Sequence, residues 1–114
     1  MPTEAIGKVP VVVLLHFWGA INDDLEDRLA EDLAKRGVAS ISFPLPYHMG
    51  RTPANAVSGE LAIQPDPDSL REMMVQSVLD VRRVIDFAES RDEFDSAKIG
   101  IHGTSLGALI AELV

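Results

Sequence analysis

The stretch Ile99-Gly100-Ile101-His102-Gly103-Thr104-Ser105-Leu106-Gly107-Ala108-Leu109-Ile110-Ala111-Glu112-Leu113-Val114 changes character once, at its middle. Before Gly103 it is short, apolar and β-branched, as a buried strand is; after Leu106 it is rich in Ala and Leu, as a helix is. Between them Gly103-Thr104-Ser105-Leu106-Gly107 fits Gly-x-Ser-x-Gly, so the serine sits in a tight strand-to-helix turn. Glycines two before and two after it let strand and helix backbones approach where a Cβ would clash.

Working outward, Val9-Pro10-Val11-Val12-Val13-Leu14-Leu15 is a continuous apolar run that suits a strand covered on both faces of a parallel sheet. From Asn22 the period changes: Leu25, Leu29, Ala30, Leu33 and Ala34 share a helix face, and Gly37 is placed to stop that helix. Asp23, Asp24, Glu26 and Asp27 read as its cap and solvated acidic face. Val38 to Phe43 gives a second strand. Five of the seven prolines then fall between Pro44 and Pro67, which predicts a long loop over 44–67, functional or mobile at that length. Ser69-Leu70-Arg71-Glu72 is a capping box, and Leu70, Met73, Met74, Ser77, Val78, Val81, Val84, Ile85 and Ala88 trace an apolar helical stripe behind it. Ala97 to His102 is the third strand.

Strand and helix alternating three times predict an α/β fold: one domain over 1–114, a parallel sheet with right-handed crossovers in a three-layer α/β/α arrangement. Parallel strands deliver their following loops to one edge, so the loops beginning at His16, Pro44 and Gly103 converge there. The first strand is expected in the middle of the sheet, leaving two unpaired edges open to self-association.

Composition narrows the function classes. A formal charge of −8 with ten scattered basic residues argues against nucleic-acid or anionic-membrane binding. The absence of cysteine excludes a disulfide frame, a thiolate nucleophile and Cys-ligated zinc. No apolar run approaches a membrane span, and the N-terminus has no basic and apolar leader, so a cytoplasmic protein without anchor or export signal is expected. His16, His48 and His102 lie in separate contexts with no metal-ligand spacing, and there is no acidic calcium loop; no metal is expected. Gly100, Gly103 and Gly107 do not fit the dinucleotide pattern, so no cofactor is expected either.

At these residues the chain resembles the α/β-hydrolase superfamily, from its third strand through its nucleophile elbow, a span covering nearly the whole sequence. It looks closest to esterase-like branches that include dienelactone-hydrolase-like and prolyl-oligopeptidase-like proteins. Leu45-Pro46-Tyr47-His48-Met49-Gly50-Arg51-Thr52-Pro53 is similar to a segment of bacterial members. The resemblance implies that Ser105 is the nucleophile and that the Leu106 backbone N–H donates to an oxyanion hole. The second donor would by position be Trp18, although Phe17 of His16-Phe17-Trp18-Gly19 stands where the family usually has glycine. Tyr47, His48 and Arg51 become candidates for contacting substrate, with loop anchoring as the plainer role; His16 and His102 read as structural. The implied activity is hydrolysis of carboxylic esters or related acyl bonds of small molecules through an acyl-enzyme. Acyltransfer, thioester and peptide chemistry share the motif. In the superfamily the triad acid and histidine follow later strands, which implies that this chain is a nearly inactive fragment lacking both. A non-catalytic remnant or interaction module is the alternative.

Overall fold

A computed structural model describes residues 7–114, in the order β1 (Val9–Leu15), α1 (Asp24–Lys35), β2 (Ala39–Ser42), a 3₁₀ turn (Met49–Arg51), α2 (Pro67–Ser90), β3 (Phe94–Gly103) and α3 (Leu106–Leu113). The strands form one sheet ordered β2-β1-β3, and both pairings are parallel. Val13 lies between Ile41 on one side and Ile101 on the other, so the β-branched run of β1 is the centre of the sheet.

Burial follows the strand period. Val9, Val11, Val13 and Leu15 are all buried; Val13 and Leu15 pack in one cluster with Met73 and Val81 of α2 and Leu106 and Ile110 of α3. Val9 and Val11 join Ala39, Ala88 and Phe94 in a second cluster under the far end of α2. The α2 stripe holds from Met73 onward, with Met73, Ser77, Val81 and Ala88 buried along it, whereas Leu70, read as its first member, lies in the first turn and is exposed. Buried Ser77 satisfies its hydroxyl by donating to the Met73 carbonyl one turn earlier, 2.7 Å away.

Three local readings are corrected. Helix α2 begins at Pro67 rather than at a Ser69 capping box: Asp66 is the N-cap and accepts from Asp68 N–H at 3.3 Å and from the Ser69 hydroxyl at 2.8 Å. Proline at the first helical position sacrifices no helical hydrogen bond, so the residue taken as a breaker is a starter. Strand β3 begins at Phe94, earlier than Ala97, because Phe94 pairs with Val9 before a bulge that resets the register to Val11–Ile99. The third concerns α1, where Asp23 is the N-cap residue but its side chain makes no capping bond. Glu26 is not solvated but 3% exposed, the only buried residue of that helix. It lies four and seven residues before Ala30 and Leu33 and so shares their inward face. The helix stops as expected at Gly37, whose φ of +78° suits a residue without a Cβ.

Candidate active site

The elbow is built by close contact at two glycines. A Cβ on Gly103 would land on the backbone of Gly107 and Ala108, and one on Gly107 would land on the Leu15 carbonyl and lie 2.8 Å from the His16 carbonyl oxygen. Thr104 N–H donates to Leu15 O at 3.1 Å, and Gly107 N–H closes the turn onto Thr104 O at 3.0 Å. The end of β3, the first turn of α3 and the end of β1 are thus locked together. Ser105 between them has φ +54° and ψ −111°, outside the regions L-residues ordinarily occupy. Strain of this kind costs about 1–3 kcal/mol and persists only where the surroundings impose it.

Ser105 is exposed at the N-terminus of α3, and its Oγ makes no hydrogen bond among the described residues. Leu106 N–H, in the first turn of α3, likewise has no partner among them, which leaves a donor at the positive end of a helix dipole.

The loop after β1 is held by two buried imidazoles. Leu45 N–H donates to His16 Nε2 at 2.9 Å, so Nδ1 carries the proton and donates to Phe17 O at 2.7 Å. Gly19 N–H donates to His48 Nε2 at 2.9 Å, and His48 Nδ1–H donates to Pro46 O at 2.9 Å. The rings lie 4.7 Å apart, and each ties its own loop to the other's: His16 reaches the segment after β2, and His48 reaches the loop after β1. Burial pushes the His48 pKa below its ordinary value, against the Pro46 carbonyl, which favours the charged ring; His16 adds a smaller push downward. Every ring nitrogen of the two histidines is occupied by backbone, so neither is free to take a proton from Ser105. Exposed His102 lies on β3 opposite Leu14 and makes no hydrogen bond to Ser105.

Trp18 is 49% exposed, and its indole N–H donates to Gly59 O at 2.7 Å, which fixes the loop on which its backbone N–H sits. The other candidates separate. His48 is 0% exposed and acts as an anchor, whereas Tyr47 and Arg51 line a cleft of about 370 Å³ with Pro46, Glu72, Met73 and Gln76. Ser105 is not in the wall of that cleft. The Arg51 guanidinium is also engaged, donating to Pro44 O at 3.0 Å and to the Asp80 carboxylate at 2.7 Å.

Sequence reading missed Ser58 and Gly59. The Ser58 hydroxyl donates to Ala20 O at 2.6 Å and accepts from Met49 N–H at 2.9 Å. Gly59 has φ +80°, and a Cβ there would lie 2.6 Å from His48 Nε2. A Ser-Gly pair inside a proline-rich loop was the available signal, but its partner Trp18 is 41 residues away.

The fold has a counterpart among solved structures. The chain superposes on Est1E from Butyrivibrio proteoclasticus, solved with ferulic acid bound, with a TM-score of 0.69 at 18% identity over 96% of this chain. The fold is a partial α/β-hydrolase fold. The chain spans 38% of the length of the Est1E chain. No family model and no curated protein matches the sequence. Among the described residues, no helix is long and apolar enough to cross a membrane.

Proposed function

We propose that this chain carries the nucleophile and oxyanion side of a serine hydrolase acting on carboxylic esters or related acyl bonds of small molecules. One observation carries the reading: Ser105 is held at φ +54° between β3 and α3 by two glycines that admit no side chain. That strain opposes folding, and in a nucleophile elbow the same turn serves to present Oγ near the helix N-terminus, where the Leu106 N–H has no partner among the described residues.

In the reaction Ser105 Oγ attacks the acyl carbon as a base removes its proton. The carbonyl oxygen becomes an oxyanion held by Leu106 N–H and, on the second side, by Trp18 N–H. The alcohol leaves with a proton and the acyl group stays on Oγ until water displaces it. In this reading the base and its orienting acid come from outside residues 1–114, because His16 and His48 are committed to backbone partners and His102 makes no hydrogen bond to Ser105.

The test is hydrolysis of short p-nitrophenyl esters by the full-length gene product. Ser105→Ala reduces the rate to background if the reading holds; an unchanged rate removes Ser105 from the mechanism. A specific observation favours a second reading, an interaction module: among the described residues β2 and β3 each pair on one side only, and Val75, Leu79 and Leu113 stand exposed around an apolar groove of about 280 Å³. Absence of any hydrolysis, with concentration-dependent self-association in sedimentation, replaces the first reading with the second.

A further inference from the structure

Helix α2 carries a second row of residues directed away from the core. Met73, Ser77, Val81 and Ala88 are buried on its inner side, whereas Glu72, Val75, Leu79 and Arg82 are all exposed. Spacings of three, four and three residues set these four in one line along the outer side of the helix. Single exposed apolar side chains are ordinary on a surface. Here two stand one turn apart, and together they wall the groove of about 280 Å³ that α2 forms with Leu113 of α3.

The order of the row decides what fits it. Reversed about its midpoint, at the level of Ser77, it exchanges Glu72 with Arg82 and Val75 with Leu79. A second α2 laid antiparallel across the first, about a two-fold axis at that midpoint, therefore meets acid with base and apolar with apolar, each of them twice. A parallel copy in register would set Glu72 on Glu72 and Arg82 on Arg82. Neither Glu72 nor Arg82 has a salt-bridge partner among the described residues, so both can pair across the axis. The formal charge of −8 makes copies of this chain repel in most orientations, but this row holds one charge of each sign. One turn further out the same axis opposes Asp68 to Asp86. Helices crossing at about 50°, the commonest packing angle, diverge towards their ends and keep those carboxylates apart.

We propose that the outer face of α2 is the interface of a two-fold dimer. Val75 and Leu79 pack on Leu79 and Val75 of the second copy, and Glu72 of each copy pairs with Arg82 of the other. The partner is a second copy of this chain because the row is complementary to its own reverse, the property that an isologous interface requires. The interface is separate from the open strand edges, and it forms whether or not Ser105 is a nucleophile.

Sedimentation velocity of the full-length gene product between about 1 μM and about 1 mM tests the proposal, the range in which a small interface associates. The parent passes from monomer to dimer over that range. Glu72→Arg and Arg82→Glu each weaken the dimer at least about tenfold, because either change places two like-charged pairs across the axis. An equimolar mixture of these two variants restores the dimer, since each supplies the sign that the other has reversed. The double variant Glu72→Arg with Arg82→Glu restores it too. All of these positions are exposed, and far-ultraviolet circular dichroism checks that each variant folds. A parent that stays monomeric, a dimer indifferent to charge reversal as strand-edge pairing would be, or single variants that mixing fails to rescue, overturns the proposal. Ester hydrolysis on the same samples keeps the two claims apart: a dimer without hydrolysis removes the nucleophile and leaves the interface, and hydrolysis by a strict monomer does the reverse.

Discussion

Replacing Gly103 by alanine tests the elbow's construction without touching Ser105. The added Cβ lands on the carbonyl carbon and oxygen of Gly107 and the amide nitrogen of Ala108. These are backbone atoms in the first turn of α3, so no side chain can rotate aside. The helix must move, and α3 contributes buried Leu106 and Ile110 to the main core. Overpacking a tight site costs about 1–3 kcal/mol when side chains absorb it, and more here because they cannot; about 3 kcal/mol is the expected minimum. At about 4–8 °C per kcal/mol for a domain near this size, the melting temperature falls by roughly 12–24 °C. Gly100→Ala is the control, because its Cβ meets only Val12 Cγ2, at an ordinary 3.8 Å. Relieving a glycine inside a strand stabilises by roughly 0.5–1 kcal/mol, so this variant melts slightly higher than the parent. Thermal unfolding followed by far-ultraviolet circular dichroism reads both. A Gly103→Ala chain melting alongside Gly100→Ala would show that strand and helix do not approach as described.

Two further outcomes follow from the same geometry. Ser105→Gly releases the backbone strain at φ +54° and, after the entropy cost of glycine, stabilises by about 1 kcal/mol while abolishing hydrolysis; Ser105→Ala abolishes hydrolysis without that gain, and urea midpoints distinguish them. For His48, burial favours the neutral ring in the folded state, so the folded pKa lies below the ordinary 6.5. The unfolded chain therefore binds the extra proton first, and the contribution of neutral His48 is present above about pH 6.5 and lost as pH falls through the folded value. Urea midpoints at about pH 7.5 and about pH 5.5, above the carboxylate range, should differ in the parent and much less in His48→Gln. An equal pH response in both would mean that the Gly19 and Pro46 contacts do not depend on the ring's protonation.

The elbow was legible because its determinants are local. Gly103, Ser105 and Gly107 fall within five residues, and the apolar run before them and the helix-forming run after them announce the turn. The central position of β1 was legible for a related reason, since only a strand covered on both faces is apolar throughout. Glu26 was hidden because the same acidic first turn that favours a helix N-terminus is expected in water, and only the seating of α1 against β2 decides which of its carboxylates is enclosed. The start of α2 was misplaced because Pro67 carries two meanings, breaker inside a helix and starter at its first position, and the choice depends on Asp66. The clasp of His16, His48, Ser58 and Gly59 joins residues 29 to 41 apart, beyond the reach of any periodicity.

The measurement that bears most directly on the account is the site of phosphonylation of the full-length gene product by a fluorophosphonate, located by peptide mass spectrometry. A single adduct on Ser105, lost in Ser105→Ala, is the predicted result, because only an activated serine beside an oxyanion donor reacts selectively. No adduct, or adducts on Ser105 no more abundant than on exposed Ser42 and Ser90, would contradict the claim that this strained turn presents a nucleophile.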